Sequence, residues 1–101
     1  MCIGVPLRVV EAEETWAWCE AAGHRERLDM MLVGPQAVGT WVLGFQGTAR
    51  QVLSEQEAAQ ASAARQALAA VLRGEGGIDH YFADLVGRRP ELPTHLREPQ
   101  P

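Results

Sequence analysis

The side chain with the most chemistry to offer stands beside the initiator, in the run Met1-Cys2-Ile3-Gly4-Val5-Pro6. Methionine is commonly removed ahead of a small residue, so Cys2 is expected to begin the mature chain. A terminal amine (pKa about 7.7–8) and a thiol (about 8.5) both lose protons near neutral pH. Together they can close a five-membered N,S chelate on a soft or borderline metal. The thiolate is also the nucleophilic form. Gly4 leaves space for a large ligand or a partner's backbone, and Pro6 fixes the chain direction and removes a donor. From these residues alone an incidental cysteine at the start of a strand is an equally open reading.

The remaining candidates for chemistry read differently. Cys19 lies within an expected strand, where a cysteine normally serves as a small buried hydrophobe. It forms no C-x-x-C pair with Cys2, which argues against a structural zinc site. The three histidines, His24, His80 and His95, fall on an expected turn, helix and tail. They read as exposed or capping side chains. G-x-S-x-G, H-E-x-x-H and phosphate-loop patterns are missing. Trp16, Trp18 and Trp41 could stack bases as on some small barrels. No basic residues interleave with them in sequence, so packing in the core or against a partner is the preferred reading. Catalysis is not expected.

Composition narrows the class. A chain of 101 residues is expected to form one domain with a modest core. Its formal net charge of −4 and lack of a basic run argue against nucleic acid and against an anionic membrane surface. No apolar run approaches the roughly 20 residues needed to span a bilayer, and the first residues lack a signal-peptide pattern. A cytoplasmic location is expected, where both thiols stay reduced.

These groups must be positioned by the elements that the patterning predicts. Residues 1–53 read as β, with strands over Ile3–Glu13, Thr15–Ala21, Thr40–Phe45 and Thr48–Leu53; Arg25–Val33 fits a strand or a short helix, and its β neighbours favour the strand. Gly23-His24 is an expected turn and Gly34-Pro35 a break. Gly44 and Gly47 mark bulges or bends that let a short sheet curl. The expected fold is mainly β: a small OB-like β-barrel of about five strands, closed or partly closed, with an open two-layer sheet as the alternative; closure would remove exposed edges. Ser54-Glu55-Gln56-Glu57 is a capping box. It opens a helix over 54–73, with Ala61, Ala64, Leu68, Val71 and Leu72 expected on the barrel. Residues 74–101 form a tail with a short amphipathic helix at 78–86.

The N-terminal run resembles the signature of the HypC/HupF/HoxL family of [NiFe]-hydrogenase maturation chaperones. Leu28-Asp29 followed by Leu32-Val33-Gly34 is similar to the family's middle segment. Gly39-Thr40-Trp41-Val42-Leu43 and Gly47-Thr48-Ala49 are similar to its next one, and Ser54 to Ala58 to the start of its helix. The segments follow in order from residue 1 to about 72. The resemblance implies an OB-like barrel with a C-terminal helix. It implies a non-enzymatic protein that binds the hydrogenase large-subunit precursor and, in the main branch, a maturation factor named HypD. It also implies that Cys2 holds the iron of a transient Fe(CN)2(CO) unit, with no permanent cofactor.

Ile3, Gly4, Val5, Pro6 and Phe45 are the expected partner contacts. Phe45 stands where the main branch carries a histidine, and phenylalanine cannot ligate iron. That exchange, with Phe82-Ala83-Asp84-Leu85 and Glu91-Leu92-Pro93 in the tail, is closer to the HupF/HoxL branch. The alternative function is an interaction module of hydrogenase assembly that never holds metal. A thiol oxidoreductase ranks third, since no resolving cysteine lies nearby.

Overall fold

The structure, a computed structural model, describes residues 4–99. Five strands make the barrel: β1 (Val5–Ala12), β2 (Trp16–Ala21), β3 (His24–Asp29), β4 (Trp41–Phe45) and β5 (Thr48–Leu53). Their order around the wall is β1-β2-β3-β5-β4, and β4 pairs back onto β1. This is the OB-like barrel expected from the short, glycine-punctuated strands. All pairings are antiparallel except β3–β5, a short parallel seam at Asp29 and Thr48. The Asp29 amide donates to the Gly47 carbonyl there at 2.8 Å.

Strand alternation supplies the core. Leu7, Val9, Ala17, Cys19, Leu28, Met30, Val42 and Ala49 point inward and are all at most 1% exposed. Each is hydrophobic, so water release drives their burial without a hydrogen-bonding penalty. Gly44 lies at a register shift in the β4–β5 ladder, one of the places where a glycine was expected to mark a bulge. Its inward side is full: a β-carbon there would come within 2.7 Å of Leu7 Cδ1 and 3.1 Å of Leu28 Cδ1. A second shift, between Val9 and Glu11, bends β1.

Two of the three hairpins turn in two residues. Ala22 (φ 49°) and Gly23 (φ 81°) join β2 to β3, and Gln46 (φ 49°) and Gly47 (φ 78°) join β4 to β5. Positive φ at both central positions is the type I′ pattern, whose twist suits antiparallel strands. The first turn therefore falls one residue before the expected Gly23-His24, and His24 belongs to β3. The third strand also ends sooner than expected, at Asp29 and not Val33. Asp29 Oδ1 accepts the Met31 amide at 2.8 Å, and the Gly34 amide donates to the Met30 carbonyl at 2.8 Å. These local bonds turn the chain away from the sheet.

The helix α1 spans Glu55–Leu72 behind the expected capping box. The Ser54 hydroxyl accepts the Glu57 amide at 3.1 Å, and Glu57 Oε1 accepts the Ser54 amide at 2.9 Å. One face of α1 packs on β1, β4 and β5. The expected barrel face needs correcting: Val71 and Leu72 are exposed, whereas Ala58, Ala67 and Ala70 are buried. At 100° per residue, Ala67 lies on the opposite side of the helix from Ala58. The element packing on α1 besides the barrel is the 3-10 turn Ile78–Phe82. The helix is thus a middle layer, with wall on one side and the start of the tail on the other.

The expected helix at 78–86 is only that 3-10 turn, followed by non-helical turns. Gly77 and Gly87, both at positive φ, bracket the stretch. So short a segment cannot repay helix nucleation by itself.

Candidate functional site

The register of β1 on β4 pairs Val5 with Gly44 and Pro6 with Leu43. Continued by one residue, it sets Gly4 level with Phe45. On β4, alternation sends Val42 and Gly44 inward and leaves Trp41, Leu43 and Phe45 half-buried on the outer face. Gly4 shares that outer face, and its missing side chain has a definite reason. A β-carbon would fall 2.6 Å from Leu43 Cγ and 2.8 Å from its Cδ1. The space left by Gly4 is therefore taken by Leu43 of the same chain, not held open for a ligand.

Gly4, Leu43, Ala61, Ala64 and Arg65 line a shallow groove of about 280 Å³ between the barrel and α1. Its one charged group is the Arg65 side chain. Of the other expected contacts, Val5 packs against the core and Pro6 is buried. Pro6 also lines the crevice between barrel and helix, with Trp41, Ser62 and Ala69. Both residues hold the motif in place. Phe45 stays partly exposed at the end of β4, with the Arg50 guanidinium 5.5 Å from its ring centroid. Cys2 and Ile3 lie outside the described residues. The groove begins two residues along the chain from Cys2.

Cys19 is the other thiol, fully buried in the barrel. Burial, with a smaller contribution from the Glu26 carboxylate, pushes its pKa up to about 11. A thiol so held is neutral and poorly nucleophilic near pH 7. The histidines have local jobs: His24 Nε2 meets Glu26 Oε2 at 3.1 Å, and His80 Nδ1 lies 3.0 Å from the Gly77 carbonyl. Among the described residues no three His, Cys, Asp or Glu side chains come together as a metal site.

One feature of the surface was not legible in the linear sequence. Trp16 and Trp18 stand on the outer face of β2, edge to face with ring centroids 6.3 Å apart. Arg27 lies over Trp16 at 4.3 Å and Arg25 over Trp18 at 5.1 Å. The basic interleaving that the run Trp16-Ala17-Trp18 lacks is supplied by β3. Antiparallel pairing of Trp18 with Arg27 brings the two strands' outer residues into alternation.

A closed five-stranded barrel with a capped helix on its flank defines a small OB-like domain. Residues 1–65 match the HupF/HypC family. The chain is 47% identical to the hydrogenase expression/formation protein HupF of Rhizobium leguminosarum bv. viciae, over 96% of this chain and 98% of that one. It is 42% identical to the hydrogenase expression/formation protein HupN of Azotobacter chroococcum mcd 1, over 100% and 94% respectively. Identity to the hydrogenase expression/formation protein HoxL of Azotobacter vinelandii is 41%, over 100% and 95%. The chain belongs to the HupF/HypC family.

Proposed function

We propose that this protein is a [NiFe]-hydrogenase maturation chaperone. It binds the large-subunit precursor and carries or protects an Fe(CN)2(CO) unit as cargo on the Cys2 thiolate. The observation that carries this reading is the family match over residues 1–65, which contains the whole Met1–Pro6 motif. Relatives named as hydrogenase expression/formation proteins span nearly the full chain. The fold adds a physical reason. Val5 and Pro6 anchor the motif to the wall, and two residues of chain reach at most about 7 Å. A partner engaging Cys2 must therefore come up against the Gly4–Phe45 edge and the apolar groove beside it.

The role is stoichiometric binding rather than turnover, in the cytoplasm, where the thiol stays reduced. Receipt of cargo from HypD is the corresponding step upstream. Phe45 favours a second reading, in which the edge is a protein contact only. Its ring offers no metal ligand, and it presents apolar surface beside Arg50.

The test is Cys2→Ala, followed by hydrogenase maturation, co-purification of the precursor, and infrared spectra of the anaerobically isolated complex. Cyanide and carbonyl stretches present in the native complex and lost in the variant are the expected result. A native complex loaded with precursor but lacking those bands would overturn cargo carrying and leave the interaction module. Unchanged maturation in the variant would remove Cys2 from either role.

A further inference from the structure

We propose that the outer face of β2 and β3 holds a second docking site. It would take a protein segment that presents one carboxylate beside a bulky apolar side chain. The site is a pocket of about 370 Å³ lined by Thr15, Trp16, Arg27, Asp29, Met31 and Gly47. It opens at the short β3–β5 seam, and its Gly47 rim is two residues from Phe45. The docking edge proposed above and this pocket thus lie on either side of one hairpin turn. The inference does not depend on Cys2 or on any cargo.

Three observations select the occupant. The first is the Arg27 guanidinium, stacked on Trp16 at 4.3 Å. Among the described residues it has no carboxylate within ion-pair distance, whereas its neighbour Arg25 is engaged by Glu11 at 2.6 Å. A guanidinium pinned on an indole keeps its planar fork free for two parallel bonds to a carboxylate. The second is apolar surface beside the fork. Met31 lines the pocket and is 70% exposed. Methionine adapts to the shape of a guest, while Trp16 is a rigid anchor.

The third is the charge around the pocket. This is the wall on which OB barrels commonly hold oligonucleotides. Here Asp29 shares the pocket, and Glu11 and Glu20 share the outer face with the tryptophans. A strand of phosphates crossing this face would meet all three carboxylates, with Arg27 and, on β1, Arg8 the arginines of the face outside any ion pair among the described residues. A single carboxylate seated on Arg27 meets much less repulsion. Asp29 Oδ1 is already turned to the Met31 amide.

The full chain, labelled with nitrogen-15, tests this by titration with acetyl-Leu-Glu-Leu-amide, its glutamine counterpart and decathymidylate. The expected result is movement of the Trp16 indole N–H signal, with the glutamate peptide preferred by about tenfold, as a charge-assisted bidentate contact allows. Arg27→Gln should abolish that preference. Arg27→Lys, which keeps the charge but not the fork, should retain only part of it, with the melting temperature recorded for each variant. Equal binding of the two peptides, or no shift with either, overturns the proposal. So does tighter binding of decathymidylate, which would make the face a nucleic-acid surface. Concentration-dependent self-association moving the same signals would assign the face to a second copy and overturn it too.

Discussion

The barrel and the tail are built from similar side chains and end in opposite states. In the barrel Leu7, Val9, Leu28 and Val42 are wholly buried. In the tail Leu85, Val86, Leu92 and Leu96 are each more than half exposed. Composition does not separate them; hydrogen-bonded closure does. Each strand places every second residue inside a wall that closes on itself, so a handful of aliphatic groups excludes water from all sides. After Phe82 the tail has no wall to face, and its bonds are short-range, such as Arg97 Nε to the Leu92 carbonyl at 2.7 Å. Stability should reside in the first region, and the second should be available for contact.

The largest expected effect is on Leu28, which is fully buried at the centre of the core. Leu28→Ala should cost about 2–5 kcal/mol through lost transfer energy and a residual cavity. That is a large share of the stability of so small a domain. Denaturant unfolding should show a lower midpoint with an unchanged slope. A loss below 1 kcal/mol would mean that the wall is looser than its burial suggests.

Gly44→Ala comes next. The added methyl has no room beside Leu7 and Leu28, and overpacking of this kind costs about 1–3 kcal/mol. The sharper form is a double-mutant cycle. Leu7→Ala clears the nearer contact, so the combined variant should lose less than the two single losses added together. Strict additivity would place the cost of Gly44→Ala in the backbone rather than in the core.

How much of this was legible in the sequence follows the range of the interactions. Strand positions, the capping box and the type of fold depend on neighbours within a few residues, and alternation and turn chemistry expose them. The end of β3 was hidden because Asp29 uses its own side chain to turn the chain, while Met30 to Val33 still reads as an apolar strand. The helix faces were hidden because an alanine-rich helix packs on two sides, and nothing in its pattern says that Ile78–Phe82 returns to cover the second. Cys2 was singled out by its own chemistry and Phe45 by resemblance, whereas the Trp16–Arg27 pocket was missed. Its partners are 11 residues apart in sequence and meet only through the β2–β3 register.

The helix cap joins the two regions, and its expected effect is intermediate. Ser54→Ala should cost about 1 kcal/mol. The cap also carries a pH dependence. The Ser54 amide, and then its hydroxyl, hold the Glu57 carboxyl below its ordinary value of 4.5. A depressed carboxyl stabilises the fold above its unfolded value and loses that contribution as pH falls through the folded one. Ser54→Ala keeps the backbone amide, so part of the acid dependence should survive. Glu57→Gln should remove the Glu57 contribution altogether. Identical acid melting of wild type and Glu57→Gln would disconnect the cap from the charge.

The smallest effect is expected where the contrast began. Leu92→Ser with Leu96→Ser alters two large apolar side chains that are each more than half exposed. Surface changes of this kind stay within about 0.5 kcal/mol. A thermal melt indistinguishable from wild type is therefore the expected outcome, even though the same exchange at Leu7 and Leu28 would unfold the barrel. Phe82→Ser is the internal control, because its ring is half-buried in the turn that packs on α1. It should lower the melting temperature where the double serine variant does not. If the Leu92 and Leu96 changes instead cost as much as Phe82→Ser, the tail contributes to the core and the division at Phe82 is misplaced. If stability holds while precursor capture falls, exposure at Leu92 and Leu96 serves binding, and the difference between the regions is one of function as well as packing.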